Sequence, residues 1–280
     1  MGYKTITVVL TDAAADAAAL HAARALADQN DAHLDVFCIG IDPTRFEAMP
    51  AGSSAVLLET GLEEAKSSAA ALAKWARGRL PDQMARLAIE PVAVPQMGLE
   101  TLVARLARYS DLIVASKPYG KGRPPLLVTV LEAELFGTGA PVLIVPEAPP
   151  VGEKPFRRVV VAWNESSESF AAIRSALPVL QKAERVDLIM VDPPAHSNER
   201  ADPGGAVSMM LARHGVRTEV SVLARTLPRV SETLLRFSRE HDADLMVMGG
   251  YGHSRFRESM LGGATRDMLQ MADLPLLMAH

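Results

Sequence analysis

The chain has 280 residues, 49% of them hydrophobic, with a formal net charge of -4 and a single cysteine. That is enough apolar material for one large domain or two ordinary ones. It carries too little positive charge for the basic face that nucleic acid or an anionic membrane requires. One cysteine excludes an internal disulfide and any Cys-x-x-Cys site, and no apolar run approaches the roughly 18 residues of a membrane span.

The first residues run directly into the β-branched Thr7-Val8-Val9-Leu10, without the regions or cleavage site of a signal peptide, so a cytoplasmic protein is expected. A helical pattern follows over 13–26. The next strand, 34–43, ends in Asp-Pro and holds Cys38, which reads as a buried structural thiol. After the turn-like Pro50-Ala51-Gly52-Ser53, residues 57–80 read as a long alanine-rich helix. Leu99-Glu100-Thr101-Leu102 opens another helix that leads to the strand Asp111-Leu112-Ile113-Val114, and Pro141-Val142-Leu143-Ile144-Val145 closes the half. The proline- and charge-rich stretch 147–155 reads as a short stiff linker.

Beyond it the pattern repeats. Val159-Val160-Val161-Ala162-Trp163-Asn164 is followed by a helix over 170–180, and the strand 186–193 again ends in Asp-Pro. Pro193-Pro194 and Asp202-Pro203-Gly204-Gly205 mark a mobile loop where the first half has its long helix. Ser231-Glu232-Thr233-Leu234 leads to Asp244-Leu245-Met246-Val247, and Pro275-Leu276-Leu277-Met278 closes the chain. Each half thus reads β-α-β-α-β-α-β-α-β, two tandem domains at 1–148 and 149–280. Near-continuous apolar strands alternating with helices indicate an α/β fold: a doubly wound, five-stranded parallel sheet in each domain, helices on both faces.

The motif with chemical content follows the fourth strand of the second half. Gly249, Gly252, Gly262 and Gly263 have the spacing Gly-x2-Gly-x9-Gly-Gly. Open parallel sheets bind ligands beyond the carboxyl ends of their strands, where this loop begins. Glycines there let the backbone approach a ligand and turn with positive φ. A helix starting near Ala264 would aim unsatisfied N–H groups at a bound anion.

With these residues the chain resembles the universal stress proteins in their tandem two-domain form. The resemblance covers essentially the whole chain, including the repeat. It implies a pseudo-twofold pair of domains packed through their last strands and a role in stress response. It also implies adenine nucleotide, ATP with or without Mg2+, on the loop of the second half, because nucleotide-binding members carry Gly-x2-Gly-x9-Gly-(Ser/Thr). Gly249, Gly252 and Gly262 match that motif in register. The closing Ser/Thr is Gly263 here, so a hydroxyl for the terminal phosphates is missing, and Thr265 two residues on either substitutes or caps and packs. The acidic residue that members use near base and ribose is Asn164, whose amide both donates and accepts. By position Val191 offers its backbone to the base edge, and Ala264 lies at the helix start.

Each candidate has a plainer alternative. Asn164 forms a turn with Ser166 or meets the base. His253 is the best side-chain candidate for phosphate, ahead of Arg255 and Arg257, which read equally as solvated. Tyr251 and Phe256 read as packing residues. In the first half the acid is kept as Asp12, but the corresponding loop carries Pro118, Pro124 and Pro125, which lack N–H donors, and Val130 and Leu131 stand where later glycines belong. That half is expected to be nucleotide-free, with Asp12 a turn residue. No Gly-x4-Gly-Lys-(Ser/Thr), His-Glu-x-x-His or Gly-x-Ser-x-Gly occurs, so catalysis beyond slow ATP hydrolysis is not expected. The competing reading is an interaction scaffold with a vestigial loop. A homodimer of tandem chains is the expected assembly.

Overall fold

A computed structural model describes residues 2–42, 54–81, 84, 86–147, 156–193, 202–251 and 263–280. The chain divides into two compact units, residues 3–140 and residues 141–280. Both are α/β, and the two halves of the sequence contribute five strands each.

In residues 3–140 four parallel strands run in the order β3-β2-β1-β4. They are β1 (Thr5–Leu10), β2 (His33–Asp42), β3 (Leu87–Pro95) and β4 (Leu112–Ser116). Ile6, Val8, Leu34, Val36, Ile113 and Val114 are buried in the strand interiors, as a sheet covered on both faces requires. The helices are α1 (Ala17–Asn30), α2 (Ser54–Arg77), α3 (Leu99–Ala107) and α4 (Leu126–Gly137). Val9, Ile39, Leu99, Leu102, Val103 and Val130 form one cluster between the sheet and α3 and α4.

Two helix starts differ from the sequence reading, each for a local reason. Helix α1 begins at Ala17 rather than near residue 13, because the Asp12 carboxylate accepts the N–H groups of Ala14 and Ala15 at 2.9 and 2.8 Å and holds them in a turn. The later α5 begins at Ser167 rather than 170, since the Ser166 hydroxyl caps it by accepting the Ser169 N–H at 3.1 Å. The long helix α2 lies within three residues of its expected span at each end.

Cys38 is fully buried in β2, and burial pushes its thiol up to about 12. Only the thiolate attacks disulfides and alkylating agents. The folded protein is therefore expected to leave a disulfide reagent unreacted at neutral pH and to titrate one thiol after denaturation. Prompt reaction in the native state would contradict the burial.

In residues 141–280 the strand order is β5-β10-β9-β6-β7-β8. The strands are β5 (Val142–Val145), β6 (Arg158–Ala162), β7 (Arg185–Val191), β8 (Thr218–Leu223), β9 (Leu245–Gly249) and β10 (Leu276–Ala279). All pairs are parallel except β5 with β10, where Leu277 stands opposite Leu143 in antiparallel register. The last strand of the first half therefore joins the sheet of the second. Helices α5 (Ser167–Leu180), α6 (Gly205–Arg213), α7 (Val230–Glu240) and α8 (Ala264–Met271) complete the unit. The mobile loop expected around 193–205 is corrected in part. Asp202 to Gly204 turn directly into α6, with the Gly205 N–H donating to the Asp202 carbonyl at 3.0 Å, while residues 194–201 lie outside the described residues. Most of the expected linker, residues 148–155, lies outside them as well.

Candidate functional site

After β5 at its edge, the chain re-enters the second unit's sheet at β6, runs outward through β7 to β8, and returns on the other side of β6 as β9. The direction of winding therefore reverses between β6 and β9, the switch point beyond whose carboxyl ends open sheets of this type receive ligands. Ala162 is in register with Met248 and with Ile189, so the segments that follow β6, β7 and β9 leave the sheet at one level. Asn164, Val191 and Gly249 all stand on this rim.

Asn164 is exposed, and its side-chain oxygen accepts the Ser166 N–H at 3.3 Å. The turn that competed with base recognition is thus formed. The reversal is tight: Glu165 sits at φ +61° before Ser166 caps α5. Trp163 beside it is buried, donates its backbone N–H to the Ile189 carbonyl at 2.9 Å, and meets the Phe170 ring edge-on at 6.4 Å between centroids. Val191 closes β7 opposite Leu223, whose carbonyl accepts the Asp192 N–H at 3.0 Å.

Gly249 has a packing role. A Cβ there would lie 2.6 Å from the Ser169 nitrogen and 2.9 Å from the Glu168 carbonyl carbon. The first turn of α5 rests on the bare backbone at the end of β9. Gly250 continues the ladder, donating to Ala279 at 2.9 Å, while His280 Nδ1 lies 3.0 Å from its carbonyl. The positive φ expected of a glycine falls on Tyr251, at +56°. That conformation is uncommon for a side chain of this size, and it is held from the other end of the loop: the buried Thr265 hydroxyl accepts the Tyr251 N–H at 3.1 Å. Gly252, His253, Arg255, Phe256, Arg257 and Gly262 lie outside the described residues.

Where the loop returns, Gly263 is the extended N-cap residue of α8 and makes no side-chain cap. Ala264 and Thr265 open the helix, where backbone N–H groups have no intrahelical acceptor. One feature of this terminus was not found in the sequence. Asp267 in the first turn is buried and paired with Arg229 at 3.0 Å, with Ser231 at 3.5 Å on its other oxygen. An acid four residues past the N-cap was the available signal. Its partner is 38 residues away along the chain, where no local pattern reaches.

The corresponding crevice of the first unit, between β1 and β4, is filled by the chain itself. Asp16 is buried, and its Oδ2 accepts the N–H groups of Thr11 and Asp12 at 2.7 and 3.0 Å. A carboxylate of the chain thus occupies backbone donors at the end of β1. Arg123 reaches in from the proline-containing loop and donates to the Ala15 carbonyl at 2.6 Å. Val130 and Leu131 are buried in α4. The sequence reading singled out Asp12, which serves the turn, and passed over Asp16, Ser116 and Glu134.

Glu134, in α4, is fully buried, and neither carboxyl oxygen has a hydrogen-bond partner. Burial, reinforced by the nearby charge of Asp16, pushes this carboxyl well above the usual range. Burial also raises Asp16, against the pull of its backbone donors. The Ser116 hydroxyl is close enough to Asp16 to favour its charged form, yet makes no hydrogen bond of standard geometry.

Comparisons with known proteins agree with the fold. The model of the universal stress protein family matches residues 155–280. A universal stress protein of Synechocystis sp. is 30% identical over 73 residues, a match covering 26% of this chain and 24% of that protein. The chain thus aligns with about a quarter of that curated relative's length. Among solved structures, a universal stress protein from Archaeoglobus fulgidus DSM 4304 superposes with a TM-score of 0.67 at 15% identity, covering 98% of this chain and 94% of that one. A functionally unknown protein from Pseudomonas aeruginosa PAO1 gives 0.57 at 16% identity, covering 98% and 92%. At these identities the two structures speak to the fold alone.

Proposed function

We propose that this chain, whose residues 155–280 match the universal stress protein family model, is a two-domain member of that family, with domains 1–148 and 149–280, that binds one adenine nucleotide in the second. The observation that carries this reading is placement. Gly249-x2-Gly252-x9-Gly262 leaves the carboxyl end of β9 at the reversal of winding and returns at the start of α8. Backbone donors of the loop and of Ala264 would meet the phosphates, and Asn164 and Val191 the ribose and base. His253 would add a side-chain contact, and Mg2+ would accompany the phosphates as in other nucleotide sites.

Nothing in the described crevice is arranged as a nucleophile with its base, so the proposal is a nucleotide-responsive regulatory or protective module of the cytoplasm, at most a slow ATPase. A second tandem chain is its proposed partner. Among the described residues no helix is long and apolar enough to cross a membrane.

The alternative, an interaction scaffold with a vestigial loop, is favoured by a specific set of contacts. The Asn164 oxygen, the Thr265 hydroxyl and the space over Gly249 are all engaged within the chain. One experiment separates the two. Purified protein is denatured and the released small molecules are identified, then the assay is repeated with Gly252→Val. The nucleotide reading expects about one adenine nucleotide per chain, or calorimetric ATP binding by the stripped protein, lost in the variant. No released nucleotide together with no heat of ATP binding would establish the scaffold.

A further inference from the structure

Strand β3 in residues 3–140 and strand β8 in residues 141–280 are edge strands: among the described residues no strand pairs with the outer side of either. An open edge is a template for another chain, and proline is a common way of closing it. β3 is closed in this way. The Arg86 carbonyl accepts the Leu34 N–H at 2.9 Å, and the register beyond is unbroken, so even-numbered residues of β3 turn their backbone toward β2 and odd-numbered ones turn it outward. Pro91 and Pro95 both fall in the outward set, where each removes a donor from the free edge.

β8 is left open. The Leu223 carbonyl accepts the Asp192 N–H at 3.0 Å, and the Arg225 N–H donates to the Asp192 carboxylate at 3.3 Å. Odd-numbered residues therefore face β7 as far as Arg225. Thr218, Val220, Val222 and Ala224 present their N–H and C=O groups outward, and none is proline. Val220 and Val222 also leave their side chains 38% and 53% exposed.

The side chains indicate what this edge fits. From Thr218 to Arg225 the only charged residues are Glu219 and Arg225, of opposite sign and each three residues from Val222. A two-fold axis through Val222 sets Glu219 opposite Arg225 of the partner subunit, and does so twice. It also sets Val222 opposite itself, Val220 opposite Ala224 of the partner subunit, and Ser221 opposite Leu223 of the partner subunit. The outward-facing backbones meet one another in this register, so their hydrogen bonds form without a slip. No like charges are brought together. Glu219 and Arg225 are exposed, with intrachain partners Arg185 at 3.0 Å and Asp192 at 3.8 Å, and each head group has capacity for a second partner.

We propose that two copies of this chain associate edge to edge through β8, antiparallel about a two-fold axis at Val222. This rests on the reading of a second tandem chain as partner, to which it assigns a surface, and it is independent of nucleotide. Opposite charges directly across an antiparallel pair are favourable and like charges are not, so the edge selects its own copy over an unrelated strand. One strand edge is a small interface, and a transient, concentration-dependent dimer is expected.

Sedimentation velocity of the full chain from about 1 µM to about 1 mM measures the association. The wild type is expected to pass from monomer to dimer over that range. Val222→Pro copies the device of β3 and removes no bond to β7, and it is expected to stay monomeric. Glu219→Arg sets arginine opposite arginine, and Arg225→Glu sets glutamate opposite glutamate. Each alone is expected to be monomeric, and an equimolar mixture of the two is expected to form a heterodimer. Thermal melts confirm that each variant is folded; should Val222→Pro fail to fold, the charge variants decide. A wild type that stays monomeric overturns this interface and the second-chain reading together. A dimer that survives Val222→Pro and both charge reversals overturns the interface alone, because the copies then meet elsewhere. Charge variants that are monomeric and remain so on mixing overturn it as well.

Discussion

Gly40→Ala is expected to destabilise the unit of residues 3–140 by about 3 to 5 kcal/mol, toward the upper end for a single methyl group. Gly40 lies in β2 beneath α2, where Ala65 and Ala69 are buried. A Cβ at residue 40 would fall inside the van der Waals surface of the Ala65 carbonyl oxygen, 2.7 Å from the carbonyl carbon and 2.9 Å from the Ala69 nitrogen. These are backbone atoms of a helix. They cannot turn away as a side chain does, so either α2 lifts from the sheet or β2 loses its register. Protein interiors are packed too densely for either to be cheap.

The measurement is urea unfolding followed by two probes, since two compact units need not melt together. The expected result is early loss of residues 3–140 with residues 141–280 little affected. A cost below about 1 kcal/mol would mean that α2 does not rest on Gly40, because overpacking that severe cannot be absorbed for less.

Gly249→Ala is expected to cost about 2 to 4 kcal/mol in residues 141–280, and to do so in protein stripped of nucleotide. The added methyl group would meet the Ser169 nitrogen at 2.6 Å, in the turn that begins α5. That turn is held by the Ser166 cap and carries Asn164 two residues before it. Strain at Gly249 therefore reaches the rim of the candidate site without any ligand present. The comparison with Gly252→Val is informative: a glycine needed only for the ligand would leave the stripped protein's Tm unchanged. Equal stability of wild type and Gly249→Ala in the stripped state would refute the packing role assigned here.

The fold was legible in the sequence because its signals are short-range and occur twice. Val8 and Val9 against Val159 to Val161 read as buried parallel strands, since apolar runs of that length have no other stable use between helical stretches. The Asp-Pro endings and the proline-led last strands put the two halves in register. Chemistry within the loops was less legible. Asn164 was read as either a turn with Ser166 or a base contact, and the structure forms the turn; Gly249 was read for what it could offer a nucleotide, while the structure shows a helix contact. Both depend on where α5 begins, and that was set by the Ser166 hydroxyl three residues earlier than the apolar pattern indicated.

The repeat, the fold class and the position of the glycine loop were determined by the sequence alone, since each rests on spacing and polarity along one stretch of chain. Tertiary structure decided what those residues touch. Thr265 reaches back 14 residues to Tyr251, and Arg229 spans 38 to Asp267. Asp16, Ser116 and Glu134 come from three elements and look unremarkable one at a time. A buried carboxyl is recognised by its surroundings, and those surroundings exist only once the strands have been laid side by side.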